Sequence, residues 1–371
     1  MERPEGFPAP FPPGTVWKLN RPVYGLKQAP REWHNKLKST LGSLKFHPST
    51  SDPSLFIRAT PSRFLILVYV DDMILVTKDQ TELAAVKTAL GEKLAMKDLG
   101  KLTNYLGMEI TRDRAARIIT LSQKFYINNV LTRFKMQEAA SMPTPLSLQH
   151  QLTAPSVPSP EPCDEAYPEL VGSLMYAMMC TRPDLAYPSA AKRVLRYLKG
   201  TQDYVLTLGG FSPVRLEGYS DSSYADDQSD RRSSQGYCFT LGSGVVSWRS
   251  TRSSSVSLST CEAELYAGTM AAQEARWLSF LLAELGYPQP APTLWCDNES
   301  TIHLTKDVVF HGRTKHIEVR HYFLRELVQR EQLKAEHTAS DCNLADLFTK
   351  SLVRQDHYRL LSSMGVGPPC G

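Results

Sequence analysis

Four carboxylates in the second half of the chain have the residue types and settings of a hard-cation centre. Asp221 follows VRLEGYS, where Leu216 and Tyr219 have strand character. Glu264 lies in SLSTCEAELYAG. There Ser259 and Glu262 form a capping box that starts a helix and engages Glu262 on the backbone, leaving Glu264 to point elsewhere. Asp297 ends the short apolar strand of PTLWCDNES, and Asp346 sits at a helix start in HTASDCNLADLFTK, preceded by His337. Acids on a strand, a helix, a strand end and a helix start can converge on one cleft. Such a set can hold two magnesium ions through oxygen ligands and activate water against a phosphodiester. Taken singly, each acid also reads as a cap or a surface charge.

A second acidic element is Asp71–Asp72, inside FLILVYVDDMILV. Both flanking runs are rich in β-branched residues and read as buried strands. The acids then fall at or near a tight hairpin turn, where carboxylates leave the core and can meet a cation. A plain β-turn is the other reading, because Asp is a common turn residue.

The elements that must position these residues fall into three blocks of a 371-residue chain, a length that suits two or three domains. Apolar residues make up 42% and charged residues 22%, ordinary globular values that exclude a wholly disordered or fibrous chain. The net charge of +4 permits a nucleic-acid partner without requiring one. Seven cysteines without CxxC spacing speak against a zinc ribbon or a disulfide framework, and Cys261 and Cys296 read as packing residues. The longest apolar run, Phe64–Val70, is too short for a membrane span, so no membrane partner is expected. The Pro-rich start MERPEGFPAPFPPG lacks the pattern of a secretory signal. Helical patterns occupy Arg31–Leu44 and Thr81–Met96, with strand signals at Tyr105–Ile110 and Arg117–Leu121. After Ser259 the spacing of Ala271, Trp277, Leu278, Leu281, Leu282 and Leu285 predicts one buried helix face. Strands followed by alternating helices and strands make the last block α+β or α/β.

YVDD between two apolar strands resembles the catalytic hairpin of reverse transcriptases. RPVYGLKQAPREWHNKL at Arg21–Leu37 resembles the nucleotide-side motif of copia-type retrotransposon reverse transcriptases. KDLGKLTNYLGMEI resembles their primer-contacting segment, and RPDLAY with AAKRVLRYLKGT resembles the connection that follows. The order Asp, Glu-Leu-x-Ala, Cys-Asp-Asn, His…Asn-x-x-Asp resembles ribonuclease H. The chain is thereby identified as similar to the C-terminal part of a copia-type Pol polyprotein.

The resemblance implies a truncated reverse-transcriptase palm and thumb over residues 1–135 and a Pro/Ser-rich linker over 136–165. A shortened connection follows over 166–210, then a ribonuclease H-like domain over 211–355 and a tail over 356–371. The ribonuclease H part is expected to be a mixed five-stranded sheet flanked by helices. Carried over, Asp221, Glu264, Asp297 and Asp346 are catalytic metal ligands for two magnesium ions, with manganese as an alternative. His337 helps product release or moves a proton, as an imidazole can near neutral pH. Asp71 and Asp72 are metal ligands of a polymerase remnant. Arg313, Lys315, His316 and Arg320 of HGRTKHIEVRHYF, with Gly25 and Gln28, are expected to contact nucleic acid, although a solvated basic helix start is an equal reading of the first four. The partners implied are an RNA–DNA hybrid and, by family, an RNA template and a DNA primer. A second copy of the chain or a separate N-terminal Pol part is a further candidate partner. The setting implied is intracellular: cytoplasmic, in a virus-like particle, or nuclear.

Two departures from the family pattern bear on activity. Two-metal polymerisation needs carboxylates from two strands. Before Asp71 the chain offers Glu2, Glu5, Glu32 and Asp52, none after a strand. The first catalytic Asp and the fingers are therefore expected to be absent and DNA synthesis lost, whereas hydrolysis of RNA in a hybrid is retained. DLAYPSAAKRVL also runs from one motif into the next without the family's intervening residues, which puts the packing of 167–200 in question. The opposing reading is a non-catalytic, nucleic-acid-binding relic.

Overall fold

The structure is a computed structural model, described here for residues 18–20, 22–23, 25–148, 166–187, 191–306 and 318–369. It divides into two compact units at residues 100 and 101, earlier than the boundary at 135 suggested by sequence.

In the first unit, Pro30 opens helix α1 (Ala29–Ser43), and its only buried side chains are Leu37 and Leu41, one turn apart. Strands β1 (His47–Pro48), β2 (Leu55–Arg58), β3 (Phe64–Tyr69) and β4 (Asp72–Thr77) form an antiparallel meander in sequence order. Asp79 caps helix α2 (Gln80–Lys93) by accepting from Thr81 N and Glu82 N. Leu37, Leu41, Phe46, Phe56, Phe64, Ile66, Val86 and Leu90 make the core between helices and sheet. Only β3 alternates with buried positions; β4, expected to be buried, is half-exposed because it is the sheet edge.

The second unit holds two sheets. One is antiparallel: β5 (Asn104–Tyr105), β6 (Met108–Asp113) and β7 (Ile118–Ser122) form a run continued by β8 (Val205–Gly209) and β14 (Val366–Gly367). Strands from the segment read as thumb thus share a sheet with the segment read as connection and with the C-terminus. Helices α3 (Lys124–Arg133), α4 (Ala166–Cys180) and α5 (Ala191–Gly200) pack through Ile127, Val130, Leu131, Leu170, Ala177, Val194 and Leu198. The doubted 167–187 and 191–200 segments therefore have a core of their own, while 188–190, at the junction itself, lie outside the described residues. The start of the Pro/Ser-rich segment is anchored too: Arg196 donates to Ala140 O at 2.7 Å and Arg193 to Thr144 O at 3.1 Å.

The second sheet is the expected mixed five-stranded one. Its strands are β9 (Leu216–Ser223), β10 (Ser234–Leu241), β11 (Gly244–Arg252), β12 (Thr293–Cys296) and β13 (Lys334–His337), in the order β11-β10-β9-β12-β13. The first three are antiparallel, and β12 lies parallel to both β9 and β13. Helices α6 (Thr260–Glu284), α7 (Glu299–Lys306) and α8 (Glu318–Gln329) flank it. Ala271, Ala275, Leu278 and Leu282 form the buried stripe of α6; Trp277, placed on that face by the sequence reading, is 39% exposed, one position off the stripe. The segment read as a C-terminal tail is packed: α9 (Arg354–Ser363) buries Leu360 and Leu361 beside Phe348, Met364 and Val366. No helix among the described residues is long and apolar enough to cross a membrane.

A buried ionic network ties α9 to α5. Arg182 grips Asp184 with Nε at 3.0 Å and Nη2 at 2.7 Å, and also donates to Thr201 O and Oγ1. Tyr197 donates to Asp184 Oδ2 at 2.7 Å, so the His357 Nε2 at 3.0 Å from the same hydroxyl is assigned as the donor to it. Burial raises the Asp184 carboxyl, but the adjacent guanidinium outweighs this and holds it below its ordinary range. Burial pushes the His357 imidazole down. Between its folded value and about 6.5, the unfolded chain therefore binds more protons at this site. The histidine's contribution is full above about 6.5 and is lost as pH falls below it. Unfolding midpoints in urea should accordingly fall with acid below pH ~6.5, with a shallower slope in His357→Gln. Arg182→Met, which leaves Asp184 buried and unpaired, should cost about 3–5 kcal/mol in the same measurement.

Candidate metal centre

Asp221 projects from β9, the central strand, and is 1% exposed. Glu264 comes from the second turn of α6 and is 6% exposed. Its helix start is held as expected by Ser259, whose Oγ accepts from Glu262 N at 3.1 Å. Glu262 returns to Leu258 N at 2.6 Å and also accepts from Tyr266 OH, which accounts for both its carboxylate oxygens. Glu264 is thereby the acid left to face β9, where Oε1 accepts from Ser222 N at 3.2 Å. Asp297 follows β12 directly. Asp346 sits in a short 3-10 turn, Leu344–Phe348, where a regular helix start was expected.

Two residues seat that turn. Asn343 is fully buried; its Nδ2 donates to Ser220 O at 3.0 Å and its Oδ1 accepts from Ala345 N at 3.1 Å. One side chain thus caps the turn and clips it to β9 beside Asp221. Gly236 is the β10 residue paired with Asp221, and a Cβ there would lie 2.5 Å from Phe348 Cβ. Only glycine lets the turn rest on the sheet at that point.

The result is a cluster of four carboxylates with one cysteine beside them. Ligand atoms of Asp221, Asp297 and Asp346 lie within 4.8 Å of one another, as do those of Glu264, Cys296 and Asp297. Burial, then mutual repulsion, pushes Glu264 well above the ordinary carboxylate range and Asp346 up to about 7. Burial also raises Asp221, against the pull of Lys350 and Thr349. Like charges gathered out of water need a cation, and oxygen donors of this kind suit a hard divalent one. Part of the compensation is internal: Lys350 Nζ donates to Asp221 Oδ1 at 3.0 Å and Asp346 Oδ1 at 2.8 Å, and Thr349 Oγ1 donates to Asp221 Oδ2. Burial keeps the Cys296 thiol protonated, and its Sγ–H points at Glu264 Oε2 from 3.7 Å. This cysteine therefore packs as expected but also touches the centre.

The sequence reading missed Gly236, Thr349 and Lys350, and included Asn343 only as the first residue of Asn-x-x-Asp, without a role. Lys350 was the detectable one, since a lysine four residues after an acid in a helical turn faces it. His337 ends β13 as the register partner of Cys296, is exposed, and belongs to neither ligand group.

The other predicted residues lie elsewhere. Val70 and Asp71 form the turn between β3 and β4, and Tyr69 pairs with Asp72. Val70 has φ 56°, a left-handed conformation costly for a β-branched residue. Trp33 supports it by donating Nε1–H to Val70 O at 2.5 Å. Asp71 and Asp72 are exposed, and among the described residues no third His, Cys, Asp or Glu joins them in a ligand group. Gly25 (φ 95°) and Gln28 lie in the turn that leads into α1. Arg313, Lys315 and His316 lie outside the described residues, and of Arg320 only the backbone, in α8, is described.

Residues 1–148 match the family described as reverse transcriptase (RNA-dependent DNA polymerase). The retrovirus-related Pol polyprotein from transposon TNT 1-94 of Nicotiana tabacum is 41% identical over 377 residues, covering 95% of this chain and 28% of that protein. The corresponding polyprotein from transposon RE2 of Arabidopsis thaliana is 35% identical over the whole chain and 27% of its own length. A transposon Ty5-1 protein of Saccharomyces cerevisiae is 30% identical, with 68% of this chain and 87% of that protein covered. The chain belongs to the copia-type retrotransposon Pol family. It spans about a quarter of the length of the Pol polyproteins it matches. Among solved structures, an N-terminal RNase H domain from Mycobacterium tuberculosis aligns with 40% of this chain and 98% of its own at 12% identity and a TM-score of 0.28. LC11-RNase H1 in complex with an RNA/DNA hybrid aligns with 36% of this chain and 94% of its own at 13% identity and a TM-score of 0.29.

If the Pol carboxylates form a metal centre, a divalent ion at 100 times its dissociation constant stabilises the fold by about 2.7 kcal/mol. A thermal melt in magnesium should then exceed one in EDTA by a few degrees, and Asp297→Asn should remove the difference. Gly236→Ala should shrink it without touching any ligand, because the added methyl lifts the turn that carries Asp346.

Proposed function

We propose that this chain hydrolyses the RNA strand of an RNA–DNA hybrid at the carboxylate centre of its second unit. The observation that carries the reading is the convergence of Asp221, Glu264, Asp297 and Asp346, from four separate elements, on one cluster in which burial and the neighbouring acids push Glu264 and Asp346 upward. These four residues would hold two magnesium ions, or manganese in their place. When bound, such ions supply Lewis-acid activation of water and neutralise charge on the phosphodiester. Asp297 belongs to both ligand groups and joins the two halves of the cluster, Ser222 N–H orients Glu264, and Asn343 holds Asp346 in register. His337, exposed at the strand end beside Asp297, exchanges a proton with the departing group or helps product leave.

On this reading residues 211–355 form the ribonuclease H part, preceded by a connection over 166–210, a Pro/Ser-rich segment over 136–165 and a palm and thumb portion over 1–135. Arg313, Lys315, His316 and Arg320 contact the phosphate backbone of the hybrid, which is recognised by shape and 2′-hydroxyls rather than sequence. Gly25 and Gln28 belong to the template–primer side. The family resemblance supports a setting inside the cell, in cytoplasm or nucleus. DNA synthesis is not expected of this chain alone, because Asp71 and Asp72 lack the partner acid that two-metal transfer needs among the described residues.

A labelled hybrid incubated with the chain and magnesium should be cut in its RNA strand. Asp297→Asn should reduce cleavage by more than about 100-fold, beyond the usual effect of losing a mere supporting group. Binding without cleavage would instead favour a nucleic-acid-binding relic. Primer extension on an RNA template, lost in Asp71→Asn, would overturn the statement on polymerisation.

A further inference from the structure

The carboxylate centre already contains a cation of the chain's own. Among the described residues, the ion pairs of Lys350 are with Asp221 and Asp346, at 3.0 and 2.8 Å. The ammonium therefore lies between two of the three acids that come within 4.8 Å of one another. Among the described residues it has no ion pair with Glu264 or with Asp297, the acid shared by this group and the second one, Glu264, Cys296 and Asp297.

The three participants differ in freedom to move. Asp221 is anchored on the central strand and further held by Thr349 Oγ1, and its side chain is 1% exposed. Asp346 is fixed by the turn that Asn343 clips to Ser220 O, and its side chain is 11% exposed. The Lys350 side chain is 35% exposed and rises from the residue whose N–H donates to Asp346 O at 3.0 Å. A lysine stem on the solvent side can swing its ammonium out without disturbing the core, whereas the two acids cannot retreat. An ammonium seated on the same two oxygens opposes a divalent ion there, because the two compete for the carboxylate lone pairs and their charges repel.

We propose that Lys350 is an internal counter-ion that makes the centre load divalent ions unequally. An ion on the Glu264–Asp297 side enters without competition, whereas an ion between Asp221 and Asp346 must first displace the ammonium. The centre then stays half-loaded until free divalent cation is high, which sets a concentration threshold for the activity. The inference rests on the reading of these carboxylates as metal ligands.

Calorimetric titration of the full chain with manganese, with bound ion counted by the loss of free-ion paramagnetic signal, tests it. The wild type should bind two ions with unequal affinity. Lys350→Met should tighten the weaker site by about tenfold and leave the stronger one unchanged. Lys350→Arg, which keeps the charge, should retain the wild-type inequality, and Lys350→Gln should repeat the methionine result if that variant does not fold by circular dichroism. A weaker site unchanged or loosened in the neutral variants, beside normal binding by the wild type, overturns the role of Lys350 alone. A wild-type chain that binds no manganese overturns this inference together with the metal-centre reading beneath it.

Discussion

Repulsion between carboxylates at close range, out of water, is the constraint to which the second unit answers. Charges of one sign can be held together only by scaffolding that is stiffer than the repulsion is strong. Each acid here is rooted in an element fixed by its own packing. Asp221 stands on the middle strand of a five-stranded sheet, and Glu264 stands on a helix that meets that sheet through Ala263, Ala267, Ala271 and Ala275, all at most 1% exposed. Such small side chains bring the helix backbone close, so a glutamate in its second turn reaches the strand. Asp346 needs a separate device, because its turn is too short to bury a face. The Asn343 clip and the missing side chain of Gly236, whose place Phe348 fills, provide it.

The same unit shows why the end of the chain is part of the fold. Helix α9 and strand β14 close a core of Phe348, Leu360, Leu361, Met364 and Val366, and Phe348 ends the turn that bears Asp346. His357 of α9 meets Tyr197, and through it the Arg182–Asp184 pair. The packing that supports the acidic turn is therefore continuous with a buried polar network that tolerates no missing partner. Strands β5–β7 belong to the same sheet as β14 and β8, which explains why residues from 101 onward form one compact unit although their composition suggests several parts.

The hairpin of the first unit is an instructive contrast. Asp71 and Asp72 have the same chemistry as the acids of the centre, yet they stand at an exposed turn on a strained Val70 backbone with a tryptophan brace. No further His, Cys, Asp or Glu among the described residues joins them in a ligand group. Adjacent acids on a turn make a pair; acids on converging elements make a site.

Local pattern carried much of this in the sequence. The apolar runs around YVDD, the Ser259–Glu262 capping box and the short strand before Asp297 are short-range signals, and each specified its element and the place of its acid. The motif order carried the family. What remained illegible depended on neighbours far apart in the chain. Trp277 looked buried because it lies one position from a true core stripe, and only the sheet beneath α6 decides which side faces in. Residues 356–369 looked like a tail because two hydrophobic turns and a two-residue strand reveal nothing until β8 is there to pair with. Lys350 and Gly236 carry no motif of their own, and Asn-x-x-Asp includes Asn343 without revealing its role; these roles are distances to Asp221, Phe348 and Ser220. The sequence by itself determined which acids could meet and on which elements they ride, because helix and strand signals are local. Tertiary structure alone decided that they do meet, and that a lysine stands among them, because convergence is set by the packing of elements more than a hundred residues apart.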